Sequence, residues 1–430
     1  MNLDPDFKSV IDHLSIDSVA FLESLSLPHQ TTIRRHALKS DSKHFHGLDT
    51  VPWCDRGYTL NERPRFNQEP SFLSGEYYVQ ESSSMFLHYV LSQLNLPESS
   101  MILDACAAPG GKSTIVLDHM KGKGTLISNE VIRSRAKVLS ENLVKWGYHN
   151  YIITNSDLSK FSDSELFDLV LVDAPCSGEG LFRRDPNAMG HWSLDHVKHC
   201  SLRQKRILKD SIKLIKAGGY LIYSTCTYNR QENEEQIQWL IEEHGFEYQF
   251  ISFPEDWNIQ QSELGLRFFP HLIKGEGLFM AVLQKKGDLE NQVTFQKQSN
   301  INSKVINALT KWTGLDKDEH YSMFQDGIVL YTGHVPFETF KKQRIYSFGR
   351  HLGKIIHGNL RPHPHFAFCI GISDLIQRKE LGRSEIIQVI NRNLVDSIGE
   401  SGWTLLTYRN NGLYWAKTVK NKYKVQYPKF

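Results

Sequence analysis

Two thiols carry the strongest chemical signal in this chain. Cys176 closes Asp173-Ala174-Pro175-Cys176 and Cys226 lies in Ser224-Thr225-Cys226-Thr227, each just after an apolar run, Phe167 to Val172 and Tyr220 to Tyr223. Such runs read as buried strands, and a parallel sheet presents its chemistry beyond the carboxyl ends of its strands, so two cysteines there point to covalent thiol work. The other four, Cys54, Cys106, Cys200 and Cys369, are scattered, with no C-x-x-C and no zinc-ligand spacing. That predicts no metal site and a reducing compartment, with Cys54, Cys200 and Cys369 as buried inert thiols.

A small-residue loop supplies the second signal. Leu103-Asp104-Ala105-Cys106-Ala107-Ala108-Pro109-Gly110-Gly111-Lys112-Ser113 joins an apolar run to a helical pattern, and paired glycines let backbone approach a ligand at a helix start. Gly111-Lys112-Ser113 copies the end of a P-loop, but Cys106 stands where that loop needs glycine, and Pro109 interrupts it. An adenosine cofactor bearing a sulfonium instead of phosphates fits better. Glu130 follows the run Thr125 to Ser128, where a carboxylate takes ribose hydroxyls, and Asp157 follows Tyr151 to Thr154, where one can take an adenine amino group. Either acid alone reads as well as a solvated loop residue or helix cap. Together they predict S-adenosylmethionine held by Cys106, Ala107, Ala108, Pro109, Gly110, Gly111, Lys112, Glu130, Asp157 and Asp173, with Cys106 giving backbone and Lys112 the cation that favours a nearby thiolate.

The elements that must position these groups alternate. Apolar runs at Met101 to Leu103, Thr125 to Ser128, Tyr151 to Thr154, Phe167 to Val172, Tyr220 to Tyr223 and Leu278 to Leu283 read as strands. Helical patterns lie between them at Lys112 to Met120, Ile132 to Trp146, Ser201 to Ile215 and Asn233 to Glu243. This predicts an α/β fold, a doubly wound, mainly parallel Rossmann-like sheet over residues 98–286. Two amphipathic helical patterns, with Phe7, Val10, Ile11 and Leu14, then Val19, Leu22, Leu25 and Leu27, open a small mixed N-terminal subdomain ending near residue 97. A polar linker spans 287–304, and 305–430 reads as an α+β region with strands at Trp403 to Tyr408 and Leu413 to Lys417.

Composition sets the partner. The 430 residues carry a formal charge of +2, yet 285–430 holds 22 lysines and arginines against 12 acids, leaving 28 against 36 for the remainder. A basic block favours a polyanion through counterion release, although a solubilising surface would look the same. The start, Met1-Asn2-Leu3-Asp4-Pro5-Asp6, has no basic-then-apolar segment, and nowhere do about 18 apolar residues run together. A cytoplasmic protein without a membrane partner is expected.

Three segments in this order, Asp-Ala-Cys-Ala-Ala-Pro-Gly-Gly-Lys at 104–112, Asp-Ala-Pro-Cys-Ser-Gly at 173–178 and Ser-Thr-Cys-Thr-Tyr at 224–228, resemble the motif set of Nop2/Sun-type RNA cytosine C5 methyltransferases. The similarity covers 30–285 closely, including Gln80-Glu81-Ser82-Ser83 and Arg183-Arg184-Asp185-Pro186. The last third, with Leu413-Tyr414-Trp415-Ala416-Lys417 and Tyr427-Pro428-Lys429, resembles the extra domains of bacterial small-subunit rRNA methyltransferases, implying a PUA-like end. The resemblance implies formation of 5-methylcytidine in 16S rRNA of the small ribosomal subunit, with tRNA as the alternative substrate and a non-catalytic ribosome-assembly factor as the rival class. Residue chemistry leaves the two thiols interchangeable, because DNA cytosine methyltransferases keep their nucleophile in a Pro-Cys motif like 175–176. The resemblance makes Cys226 the nucleophile and Cys176 the assistant in release, with Asp173 able to meet the cytosine N3 or amino group.

RNA contacts are expected from Phe182-Arg183-Arg184 beside the Cys176 loop and from Arg34-Arg35, where His36 departs from the family's asparagine. At the far end Tyr408, Tyr414, Trp415, Tyr423 and Tyr427 interleave with Arg409, Lys417, Lys420, Lys422, Lys424 and Lys429. Those aromatics either stack on unpaired bases or form the core of a small β domain. In both cases, loss of 290–430 is expected to weaken RNA binding and spare the cofactor site. A monomer is expected.

Overall fold

A computed structural model describes residues 5–161, 165–287, 309–310, 312–313, 321–324, 327–331, 340, 342–357, 359–393, 395–397 and 401–428. The linker expected at 287–304, beyond Gly287, lies outside the described residues, as do Met1 to Asp4 and Lys429.

Four short strands, β1 (Thr32–Arg35), β2 (Thr50–Val51), β3 (Cys54–Thr59) and β4 (Tyr77–Val79), form an N-terminal antiparallel sheet in the order β2-β3-β1-β4. The central sheet follows, with β5 (Met101–Asp104), β6 (Thr125–Asn129), β7 (Tyr151–Thr154), β8 (Phe167–Asp173) and β9 (Ile215–Thr225) parallel in the order β9-β8-β5-β6-β7. On its β9 side it gains β10 (Phe246–Tyr248), β11 (Gln260–Ser262), β12 (Gly265–Phe268) and β13 (Leu278–Lys285), where β13 runs antiparallel to β9. Alternate residues explain the burial: Leu169 and Leu171 enter one core, Val170 and Val172 the other, so the sheet is covered on both faces. Chain order reverses between β5 and β8, the place where open α/β sheets leave a crevice.

The third helix begins earlier than its pattern suggested. It runs Leu194–Ser211, capped by Ser193, whose hydroxyl accepts the His196 N–H, and Ile215 already belongs to β9. The cap, not the apolar spacing, sets its start.

The basic last third contains β14 (Tyr321–Phe324), β15 (Gly327–Leu330), β16 (Ile345–Phe348), β17 (Arg350–Ile356), β18 (Asn359–Pro362), β19 (Arg378–Glu380), β20 (Trp403–Tyr408), β21 (Asn411–Val419) and β22 (Lys422–Gln426). Two small sheets arise, β14-β15-β17-β18 and β19-β20-β21-β22, but β16 joins the central sheet antiparallel to β7. The Asn155 N–H donates to the Arg344 carbonyl (2.8 Å) and the Arg344 N–H to Ser156 Oγ (2.8 Å). This corrects the expectation that 290–430 could be removed without touching the cofactor side, because β16 covers the edge of β7. Three of the five aromatics form core: Trp415 stacks on Phe366 (5.5 Å), and Tyr414 and Tyr423 are buried, whereas Tyr408 and Tyr427 are half-buried and Arg409, Lys417, Lys420 and Lys424 are exposed.

The helices Pro5–Asp12 and Ser18–Ser24 pack Phe7, Ile11, Phe21 and Leu25 against Phe182, Trp192, Tyr228 and Phe269. Val19 and Leu27 face solvent instead, with Phe21 taking the apolar position.

Arg34 proves to be an internal strut and not an RNA contact. Its guanidinium is buried, bonds Gln80 (2.9 Å), Asp118 (2.5 Å) and Thr114 (2.6 Å), and lies over Trp146. His36 is buried beside it, its Nδ1 accepting the Leu38 and Lys39 N–H groups, and desolvation holds its pKa well below the usual value. Burial raises the Asp118 carboxyl even against two arginines, so removing one partner strands polar groups. Arg34→Ala is expected to lower unfolding free energy by about 3 to 5 kcal/mol in urea titrations; a loss below about 1 kcal/mol, the ceiling for a surface pair, would contradict the strut.

Candidate active site

Beyond the carboxyl ends of the parallel strands lies a cavity of about 600 Å³. Cys226, Cys176, Asp173, Cys106, Ala107, Ala108, Pro109, Gly111, Lys112, Glu130 and Asp157 all line it. Gly110 does not. Its φ of +111° turns the loop into helix Gly111–Met120, and an added Cβ would come 3.2 Å from Leu139 on the next helix. It is needed for backbone shape and close packing.

One half of the cavity is acidic. At the end of β5, Asp104 is buried and its Oδ2 accepts the Ser113 hydroxyl (2.6 Å), while Oδ1 has no hydrogen-bond partner. Burial pushes this carboxyl up to about 7, so an arriving cation would both satisfy and ionise it. Glu130 is buried at the end of β6, its Oε1 accepting the Ile132 N–H (2.9 Å) and its Oε2 3.5 Å from Arg135. Asp157 caps the short turn Leu158–Lys160, and the Ser159 hydroxyl and N–H hold its carboxyl below the usual range. The orphaned Asp104 oxygen and two further carboxylates at neighbouring strand ends suit a cationic nucleoside, with hydroxyls and amino groups as donors. S-adenosylmethionine has that character. Asp104 was not among the sequence candidates, although its place at the end of the first strand was a signal.

The other half holds the thiols. Register pairs Val172 with Tyr223 and Asp173 with Ser224, so the turns after β8 and β9 lie side by side. Cys176 Sγ and Cys226 Sγ are 3.1 Å apart, and the Cys226 N–H donates to Cys176 Sγ (3.3 Å). The hydrogen bond with Cys226, then burial, raises the Cys176 thiol well above its ordinary value, so it stays protonated. Lys112 Nζ lies 2.7 Å from Asp173, whose Oδ1 also accepts the Ser224 hydroxyl (2.8 Å); the ammonium also interacts with Cys226. Burial, then Asp104, pushes the Cys106 thiol up, leaving it unreactive. Cys54, Cys200 and Cys369 are buried away from the cavity. Ligand atoms of Cys54, Asp55 and His88 lie within 4.8 Å of one another, but Asp55 already meets His88 (3.1 Å) and Arg56 (3.8 Å).

Two buried carboxylates fasten the thiol turns together. Glu179 accepts from Trp192 Nε1 (2.9 Å), Asn229 Nδ2 (2.8 Å) and the N–H groups of Tyr228 (2.6 Å) and Asn229 (3.0 Å). Glu232 accepts from the Ser177 N–H (3.0 Å), Gln204 (2.6 Å) and Asn229 Nδ2 (2.7 Å). Spacing gave no hint of either, because the partners come from loops fifty residues apart. In the segment Phe182-Arg183-Arg184, Phe182 is buried, Arg183 is half-buried, and Arg184 lines the cavity with Arg203 and Arg206.

A switch-point cavity with a glycine loop and acidic strand ends makes this an S-adenosylmethionine-dependent methyltransferase. The family described as 16S rRNA methyltransferase RsmB/F matches residues 91–284, and the N-terminal domain of 16S rRNA methyltransferase RsmF matches 3–82. "Ribosomal RNA small subunit methyltransferase F" of Shewanella woodyi is 31% identical over 98% of this chain and 94% of its own length. The Aeromonas hydrophila protein of that name is 36% identical over 65% of this chain and 62% of its own length. Among solved structures, a methyltransferase homolog protein from Pyrococcus horikoshii covers 66% of this chain and 100% of its own, with TM-score 0.53 and 27% identity. NSun6 from Pyrococcus horikoshii with SFG shares the fold at TM-score 0.56 and 21% identity, over 66% of this chain and 99% of its own. The chain belongs to the RsmB/F family and is an S-adenosylmethionine-dependent RNA (cytosine-C5) methyltransferase.

Glu179 does not line the cavity, so its loss should act on the thiols and not on the cofactor. Glu179→Ala leaves buried donors unpaired at about 1 to 3 kcal/mol each. Methyl transfer is expected to fall at least about tenfold, near 1.4 kcal/mol in barrier, with S-adenosylmethionine affinity unchanged by calorimetry. Equal loss of both would contradict the clamp.

Proposed function

We propose that this chain methylates carbon 5 of a cytidine in 16S rRNA, with Cys226 as nucleophile and Cys176 assisting release. The observation that carries the reading is the 3.1 Å meeting of the two sulfurs in the cavity that Asp104, Glu130 and Asp157 line. Relatives named for the small-subunit rRNA along nearly the whole chain support that substrate. When bound, S-adenosylmethionine supplies an electrophilic methyl group, and Cys106 to Pro109, Gly111, Lys112, Glu130, Asp157 and Asp173 are the residues proposed to hold it, joined by Asp104.

Carbon 5 of cytosine is a weak nucleophile, so the Cys226 thiolate adds at carbon 6 and sends electron density toward carbon 5. Lys112, pinned by Asp173, favours that thiolate electrostatically. Asp173, paired with Lys112, accepts from the cytosine amino group. As the carbon–sulfur bond breaks, the protonated Cys176 donates its S–H to the departing Cys226 sulfur and takes the carbon 5 proton in its place, so that proton is accounted for and Cys176 returns to its thiol form. The target base leaves its stack to reach the cavity, with Arg184 and the exposed lysines of the last third meeting phosphates. Among the described residues no helix is long and apolar enough to cross a membrane. We further propose a cytoplasmic monomer with an RNA-binding cap at 1–97, a catalytic domain at 98–286, a linker at 287–304 and a basic RNA-binding region at 305–430, PUA-like in its final sheet β19-β20-β21-β22.

Cys226→Ala is expected to abolish turnover and covalent capture of RNA, whereas Cys176→Ala should accumulate a protein–RNA adduct on denaturing gels. The reverse pattern would exchange the two roles. Asp173→Asn should lower kcat about 10²- to 10⁴-fold. Bisulfite sequencing of a deletion strain should lose a 16S rRNA signal; loss confined to tRNA sites would overturn the substrate.

A further inference from the structure

Glu276 is a cavity-lining carboxyl that the mechanism above does not use. Its backbone is fixed on both sides: the N–H donates to Glu81 Oε1 (2.8 Å) and the carbonyl accepts the Ser83 hydroxyl (2.9 Å). The flanking glycines allow this seat, since a Cβ on Gly275 would come 2.5 Å from Ser83 Oγ and one on Gly277 2.1 Å from the Tyr228 hydroxyl oxygen. Phe279 pairs with Thr225, so Glu276 lies three residues from a position level with the residue before Cys226. Its side chain is only 9% exposed, yet none of the described residues hydrogen-bonds its oxygens, and the nearest cation, Arg184, stands 3.8 Å away. A largely buried carboxyl that opens on a cavity with no hydrogen bond, and only this long ion pair, has acceptor and donor capacity left for a ligand.

We propose that Glu276 is the group that holds N3 of the target cytosine, donating its carboxyl proton there while Asp173 accepts from the neighbouring amino group. This rests on the cytosine methyltransferase reading. The groups facing Glu276 are Glu81 from the segment after β4, Arg183 and Arg184 from the Cys176 loop, and Tyr228 from the Cys226 loop. Burial first, then Glu81, raise the carboxyl to about 7 against the two arginines, so a neutral acid is present on the acidic side of neutrality. As the sulfur–carbon 6 bond forms, the carbon 5–carbon 6 π pair shifts to carbons 4 and 5, and the carbon 4–N3 π pair moves onto N3. N3 takes the Glu276 proton, and returns it when carbon 5 makes its new bond and the carbon 4–N3 double bond reforms. A neutral donor beside an ionised acceptor also selects the base. Cytosine offers an amino donor and the N3 acceptor, whereas uracil would set its O4 acceptor against the Asp173 carboxylate.

The carboxyl acts protonated, so kcat/KM is expected to decline as pH rises through about 7. Glu276→Gln keeps an N–H donor for N3 but has no proton to lose or transfer. It should fold with the wild-type melting temperature, lower kcat about 10²-fold or more with little change in KM, and erase the alkaline decline. Glu276→Ala should lose kcat/KM further and still bind S-adenosylmethionine in calorimetry. A Gln variant that keeps wild-type kcat, or that keeps the alkaline decline, would overturn the assignment. Wild-type protein that transfers no methyl group to 16S rRNA would instead refute the reading beneath it.

Discussion

The structure depends on one contact, that of two sulfurs carried by separate turns of a parallel sheet. Neither turn can hold its thiol alone. Strand register places Asp173 opposite Ser224, and the buried carboxylates of Glu179 and Glu232 then draw donors from both loops. A carboxylate sealed from water must find such donors, so the desolvation cost of Glu179 and Glu232 fixes the geometry. The N-terminal helices complete the arrangement by packing Phe7 and Phe21 on Phe182, Trp192 and Tyr228, residues of the same two loops. That cap therefore belongs to the catalytic architecture as much as to the N-terminal subdomain.

Electrostatics divides the cavity by environment, not by residue type. Asp173 is paired with Lys112, Asp157 is stabilised as an anion by Ser159, and Asp104 and Glu276 are driven toward neutrality by burial. These four, among the carboxyl groups that line the cavity, thus offer two acceptors held by partners and two groups whose charge depends on what arrives. Such separation lets one site receive a cationic cofactor and a neutral base.

The parallel strands were legible because each is a short apolar run with turn residues behind it, and the cavity residues followed from their place at the strand ends. Cys176, Cys226, Asp173, Lys112, Glu130 and Asp157 all reach the same space. Three things were not legible, each for a physical reason. The clamps at Glu179 and Glu232 and the seat of Glu276 depend on contacts between distant loops, which no local pattern records. Arg34 looked like a surface cation because burial of an arginine requires partners, Asp118 and Thr114, that lie eighty residues downstream. β16 was missed because Ile345–Phe348 is a short edge strand, added from a region that otherwise builds its own sheets.

That edge strand bears on how a basic region could serve the cavity. With Trp415, Tyr414 and Tyr423 committed to its interior, the last third would fill the RNA-binding role proposed for it with its exposed lysines, and such contacts carry little sequence information. Specificity must then come from placement. β16 pairs with β7, and Arg344 bonds Asn155 and Ser156 at the strand end that leads into Asp157. The last third is thereby hydrogen-bonded to the rim of the cofactor half, so in the RNA-binding role proposed for it a backbone held there is held in register with the cavity. On the proposed function, the position of a cytidine within a folded RNA, more than the identity of its neighbours, then decides whether it reaches Cys226.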